Sequence, residues 1–486
     1  MYPWSCDTFV AMPDATSGQP SLMGKNSDRP VFDSQPLRYF DRREGTQTLQ
    51  LAYLTIDDVA QTHAHLGGSP YWCWGHELGV NEWHVAIGNE ALFTRDLAAN
   101  RTASTQGQQP PWGILGMELV RLGLERGRTA EEALSAMCLL IERYGQWGSG
   151  VPCARLDAGA YDNSYLIVDP TEAWVLETSG RQWAAKAVRQ GTWAISNQMT
   201  IRDAWDKASA DVVEHAAAQG WWPEQARPFD FARAYTDPGT PLQVSHVRLQ
   251  RSRQLLHEAT TADGVDVEVC KRILRDHYES TFLEGPYFNA ALPDFLTLCM
   301  HAHPAGFTWG NTASSAIFVL PRRQEGFAHM WWTPLTPCTG VYLPVFVAAG
   351  DVPHSFTVTG PAGAQRCPPE EASADVFDER SYWWRFHQLL EVAKGGDMAW
   401  CFEERQPIVR QAFDPLERRW AGQLPEVEAE AVALRRKGDT GSASKVLARF
   451  TRSCADEATR VLGELIGTFA HDPERVTRDP QRTRGA

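Results

Sequence analysis

The chain has no stretch of about 18 consecutive apolar residues, which argues against a membrane-spanning helix. Its N-terminus, MYPWSCDTFVAMPD, has neither the basic start nor the long apolar core of a secretory signal. The ten cysteines are scattered and none forms a CxxC pair, so neither a disulfide framework nor a paired-cysteine metal motif is indicated. A cytoplasmic protein with reduced thiols is the expectation. The pattern GxxxxGK[ST], a GxGxxG after a strand and the GxSxG elbow are all missing. Gly75-His76-Glu77-Leu78 opens like HExxH, yet Val80 and Asn81 stand where the second histidine belongs. Positive charge is short as well: 46 Lys and Arg against 60 Asp and Glu leave −14. Such a surface repels phosphate backbones and anionic lipid, so neither nucleic acid nor membrane is expected as a partner.

What is present is enough apolar and aromatic material for a large core, with 43% hydrophobic residues and 19 tryptophans in 486 residues. Cys6–Met12 and Ser21–Lys25 read as two strands joined by a turn at Asp14–Gly18, a hairpin. Thr46–Ile56 alternates Leu49, Leu51, Tyr53 and Thr55 with its neighbours, the period of a strand. Val85–Ile87 reads as a further strand after a turn at Gly79–Glu82. Gly113–Arg126 and Thr129–Tyr144 are predicted helices, the second opened by a Thr129/Glu132 capping box and striped by Leu134, Met137, Cys138 and Ile141. From Asn163 the period of two returns. Tyr165–Asp169, Trp174–Thr178, Trp183–Val188 and Thr192–Asn197 read as a four-strand antiparallel meander. A helix-rich stretch over 204–280 precedes a second strand group at Ser314–Leu320, His329–Thr333 and Val341–Val347. Helices dominate from Ser381 and end with Ser453–Phe469, and the polar stretch 471–486 reads as a disordered tail. Meanders in place of βαβ units indicate an α+β layered architecture.

His63-Ala-His65 and His301-Ala-His303 place histidines on one side of a strand, but neither pair has an acidic or cysteine partner at fixed spacing. No metal and no cofactor is expected from them. The N-terminal hairpin carries more chemistry. It folds Gly24-Lys25-Asn26-Ser27-Asp28-Arg29-Pro30 back alongside Cys6, and a cation beside a thiol lowers its pKa while a carboxylate can hold an ammonium group.

Cys6-Asp-Thr-Phe-Val with Gly-Lys-Asn-Ser-Asp-Arg-Pro resembles the opening of the secernin/dipeptidase A family, a branch of the N-terminal-nucleophile (Ntn) cysteine hydrolases. Cys299-Met300-His301, Thr312-Ala-Ser314 and the segment from Trp332-Thr333 through Pro337-Cys338 to Pro344 resemble it too, so the likeness spans about residues 6–350. The resemblance implies a four-layer αββα sandwich over 6–350, preceded by a short prosegment at 1–5 and followed by a helix-rich C-terminal region at 351–470. It implies that Cys6 becomes the first residue and acts as nucleophile with its own α-amine as base, and that Asp28 orients this amine. Asn197 and the backbone N–H of Asn89 match oxyanion donors. Lys25 stands where the bile-salt branch has arginine, and Arg248 or Arg251 matches a late active-site arginine. The implied activity is cysteine dipeptidase action on a small-molecule or dipeptide substrate whose carboxylate pairs with Lys25, Arg248 or Arg251. An acylase on N-acyl amides and a non-enzymatic regulatory protein are the alternatives, and homo-oligomerisation is left open.

Overall fold

The computed structural model describes residues 5–152, 159–223, 228–240, 243–284, 289–304, 308, 310–359, 368–372 and 375–470. The expected tail at 471–486 and all but Ser5 of the prosegment lie outside them. Sixteen strands are found among the described residues: β1 (Cys6–Ala11), β2 (Ser21–Pro30), β3 (Leu37–Phe40), β4 (Thr48–Gln50), β5 (Thr55–Asp57), β6 (His65–Gly68), β7 (Leu78–Asn81), β8 (Ala86–Leu92), β9 (Asp162–Val168), β10 (Ala173–Ser179), β11 (Gln182–Val188), β12 (Thr192–Ile195), β13 (Lys207–Ala208), β14 (Gly310–Leu320), β15 (His329–Pro334) and β16 (Leu343–Phe346). They form a six-stranded sheet, β12-β1-β2-β14-β15-β16, an eight-stranded sheet, β13-β11-β10-β9-β8-β7-β6-β3, and the small ribbon β4-β5.

The two large sheets face each other across Val10, Met23, Leu78, Val80, Leu166, Val168 and Val175, all fully buried. Alternation puts the opposite residues of β8–β10 (Ile87, Tyr165, Ile167, Trp174, Leu176) on the outer face, where helices Gly116–Arg126 and Ala130–Tyr144 cover them. On the far side, Gln243–Thr261, Val267–Leu274 and the C-terminal helices Tyr382–Lys394, Phe402–Arg436 and Thr440–Ala470 pack over the six-stranded sheet. The order is helix, sheet, sheet, helix: an α+β fold of four layers. Residues of the C-terminal helices (Phe386, Leu389, Trp420, Leu462) share one apolar core with the sheets. Among the described residues, no helix is long and apolar enough to cross a membrane.

Several expectations are corrected. Thr46–Ile56 is not one strand but the β4–β5 ribbon, reversed at Leu51–Leu54 where Leu51 N–H donates to the Leu54 carbonyl at 2.8 Å. Such a turn accepts most residue types, so no Gly or Pro marks it. Gly79–Asn81 belongs to strand β7, and the chain reverses at Glu82–Val85. There Asn81 Oδ1 accepts from Trp83 and Val85 N–H and His84 takes a left-handed φ of 68°. Thr129 does cap Glu132 N–H at 3.1 Å, but the Glu132 carboxylate reaches Arg128 N–H, one residue earlier than a capping box. Most consequentially, β12 leaves the meander. It crosses to the other sheet and pairs with β1, Thr8 opposite Ile195.

Candidate active site around Cys6

Cys6 begins the first strand, and β1–β2 pairing sets it opposite Ser27 and Thr8 opposite Lys25. Because side chains alternate, Cys6, Thr8 and Lys25 all point at the eight-stranded sheet. The crossing of β12 brings Asn197, two residues past its end, to the other side of Cys6. The amide is fixed by its neighbours: Oδ1 accepts from Cys6 N–H at 2.9 Å and from Arg248 Nη2 at 2.8 Å, while Nδ2 donates to the Ala91 carbonyl at 2.9 Å. One Nδ2–H is left for another acceptor.

Arg248 is fully buried and closes the group from helix Gln243–Thr261. Its Nη1 donates to the Cys6 carbonyl at 2.9 Å and pairs with Asp7. Arg251, one turn on, forms a different pair, with Asp276 at 2.6 Å. Of the two arginines, the structure brings Arg248 to Cys6 and Arg251 to Asp276. Asp28 offers its backbone N–H to Cys6 Sγ at 3.3 Å. Its Oδ1 accepts from Thr312 Oγ1 at 2.7 Å, and its buried Oδ2 has no hydrogen bond among the described residues. A register shift between Thr312 and Ser314 in the β2–β14 pairing aims Thr312 at Asp28.

Lys25 does not await a substrate. Its ammonium lies between the Glu90 carboxylate at 3.3 Å and the Asn89 carbonyl, and both charged side chains are fully buried. Glu90 also accepts from Thr8. Gly88 makes the room, since a Cβ there would come within 2.5 Å of Lys25 Cδ. Asn89 sits in β8 with its side-chain amide between Glu77 and Asn163, so only its backbone faces the Lys25 region. All three cations expected to meet a substrate carboxylate, Lys25, Arg248 and Arg251, are therefore committed to internal pairs.

Burial pushes the Cys6 thiol well above its ordinary value, with Lys25 opposing and Glu90, Glu77 and Asp28 reinforcing. Burial likewise raises Asp28 to about 7 against the pull of Arg248 and Thr312, and Glu90 to about 8 against Lys25. Among the described residues, no histidine is a hydrogen-bond or charge neighbour of Cys6. Burial disfavours the thiolate, and among the described residues no imidazole neighbours it.

The profile of peptidase family C69 matches residues 69–241. The matched stretch contains Asn89 and Asn197, lies downstream of Cys6 and Asp28, and is similar to the family the N-terminal motifs resemble. With the thiol, amides and charge pairs gathered at Cys6, the C69 match makes the chain a cysteine hydrolase. Solved structures with similarity to the chain include a mutant conjugated bile acid hydrolase from Clostridium perfringens, at 12% identity over 67% of this chain and 88% of that one, with a TM-score of 0.36. Penicillin V acylase from Agrobacterium tumefaciens gives 10%, 70%, 86% and 0.38. An N-acylethanolamine-hydrolyzing acid amidase ortholog from Caenorhabditis elegans gives 13%, 65%, 92% and 0.30. At such scores the likeness is loose.

Sequence reasoning missed Asp7, Glu90 and the aim of Thr312. Asp7 and Thr312 stood in the quoted motifs, but what they pair with depends on the sheet crossing. It also missed a second cluster. Cys299, His301 and Cys338 meet His277 with their ligand atoms all within 4.8 Å of one another, and His303 is not among them. The other histidine pair is separated too: His65 Nε2 meets His76 Nε2 at 3.0 Å, while His63 Nδ1 accepts from Trp83.

Proposed function

We propose that the chain hydrolyses the peptide bond of dipeptides, with Cys6 as nucleophile once the residues before it are removed, and that it works in the cytoplasm. The observation carrying this reading is the pairing of two facts at one residue. The Cys6 thiol has no imidazole neighbour among the described residues, while the Cys6 nitrogen is held at 2.9 Å by Asn197. A freed α-amine there, titrating at about 8, is a base carried by the same residue as the thiol, and it exists only once the residues before Cys6 are removed.

The steps follow. The amine takes the Sγ proton, and the thiolate attacks the scissile carbonyl. The oxyanion receives the remaining Asn197 Nδ2–H and the Asn89 backbone N–H, each donor supplying ~3 kcal/mol. The Cys6 ammonium protonates the leaving amine, and water then attacks the acyl-enzyme with the amine as base again. Asp28, whose Oδ2 has no other hydrogen bond, is placed to hold the ammonium form.

Intact mass spectrometry is expected to find a chain starting at Cys6. Full activity in a chain that keeps Ser5 would overturn the mechanism. The substrate class is tested by assaying unblocked dipeptides, N-acetylated dipeptides, penicillin V and glycine-conjugated bile salts side by side. Preference for unblocked dipeptides supports the reading, and faster turnover of the latter amides favours an acylase.

A further inference from the structure

His277 lies just after helix Val267–Leu274, Cys299 and His301 flank Met300 ahead of β14, and Cys338 sits in the turn after β15. Their separations are those of ligands around one ion. His277 Nε2 and His301 Nε2 are 3.3 Å apart, and His301 Nε2 lies 3.2 Å from Cys338 Sγ and 3.7 Å from Cys299 Sγ. A tetrahedral ion with Zn–N of about 2.05 Å and Zn–S of about 2.3 Å would set two nitrogens about 3.3 Å apart, and a nitrogen and a sulfur about 3.5 Å apart. We infer that His277, Cys299, His301 and Cys338 hold a structural zinc-type divalent cation.

One of the two histidines has the supporting hydrogen bond such sites use, while His301 Nδ1 is buried without one among the described residues. Glu279 Oε1 accepts from His277 Nδ1 at 2.9 Å, which leaves the Nε2 lone pair for the ion. The His301 ring is wedged edge-on against Phe402 at 5.3 Å. Cys299, His301 and Cys338 are essentially inaccessible, and four protein ligands leave no open coordination position, as in structural rather than catalytic zinc sites. On binding, both thiols release their protons to solvent, so two thiolates and two neutral imidazoles balance the ion's double charge.

The ion reaches the Cys6 site through one residue. Met300, between Cys299 and His301 in the chain, makes its contacts on the Cys6 side. Its N–H donates to Thr312 Oγ1 at 2.9 Å, the hydroxyl that donates to Asp28, and its Sδ accepts from Ser5 Oγ at 2.8 Å. The four ligands are thus positioning residues for Asp28, with no contact to the reacting atoms.

The test is elemental analysis of the purified full-length chain, followed by cobalt substitution of the reduced, chelator-stripped protein. One equivalent of zinc as isolated, with thiolate-to-cobalt charge-transfer and tetrahedral d–d bands after substitution, is the expected result. Cys338→Ser and Cys299→Ser should abolish those bands while circular dichroism reports whether each variant folds. Should both variants fail to fold, mass-mapped alkylation of the parent decides. Cys299 and Cys338 should be protected until chelator is added. Absence of metal both as isolated and after reduction and zinc addition would overturn the inference. So would a Cys299–Cys338 disulfide in the metal-free protein, or cobalt bands that persist in both folded variants.

Discussion

Cys6, at the start of β1, and Cys338, in the turn after β15, are both buried thiols of the six-stranded-sheet side, and their company differs in kind. Around Cys6 stand hard groups: an ammonium–carboxylate pair, a guanidinium, a carboxylate and a carboxamide. Around Cys338 stand two imidazoles and a second thiol. The first set can carry charge and protons past a carbonyl but offers a soft cation one sulfur. The second can saturate a soft cation and leaves no position for a substrate. In the roles proposed for the two thiols, neighbours more than exposure divide nucleophile from ligand.

The comparison breaks most decisively by exchange of roles. Cys6→Ala is expected to remove all turnover in a dipeptide assay, whereas a folded Cys338→Ser should retain Cys6-dependent turnover at a reduced level. If Cys338→Ser is dead and Cys6→Ala is not, Cys338 is the nucleophile. Next in size is the charge pair beneath Cys6. Lys25→Met strands the Glu90 carboxylate and should cost ~3–5 kcal/mol in denaturant unfolding. The double variant Lys25→Met/Glu90→Gln should recover much of it, and no recovery would mean the pair is not the source.

Asn197→Ala should lower kcat ~100–1,000-fold with KM little changed, because the donor acts on charge present in the transition state. A KM effect with intact kcat would make Asn197 a substrate-binding residue. The smallest effect is a slope. Burial raises Asp28 from its ordinary 3.8 to about 7, so the folded chain holds a proton that the unfolded chain has lost. This contribution is fully present below about pH 4 and is lost as pH rises through about 7. Asp28→Asn keeps an acceptor for Thr312 yet removes the titration, so Tm should fall less with rising pH over that window than in the parent, while turnover is lost. A parallel decline in both proteins would show that Asp28 is ionised throughout.

Much of this was legible in the sequence, for definable reasons. The hairpin that brings Asp28 beside Cys6 is local, and its alternation and turn were readable as such. Asn197 could be placed after the meander by chain order, but β12 departs from its sheet for reasons of tertiary pairing that a period of two does not encode. The Cys338 cluster was invisible for the same cause. Its ligands come from three segments, and the His301–Cys338 contact spans 37 residues without a repeating interval. Of the pattern His301-Ala-His303, from which no metal was expected, His301 lies in the cluster beside Cys299, two residues before it, and His303 does not.

The crossing of β12 also has a consequence in time. The β1–β2 hairpin closes between near neighbours and should form early, whereas Cys6 meets Asn197 across 191 positions and Arg248 across 242. Contacts so distant along the chain are the slow ones to establish. During synthesis the thiol emerges first and remains without its amide and guanidinium until the chain has been made through Arg248. The Cys6 thiol is thus the first part of the candidate site to be made, and its surroundings are the last to be completed. A pulse-chase of chains starting at Cys6 should lag the appearance of full-length protein by the folding time.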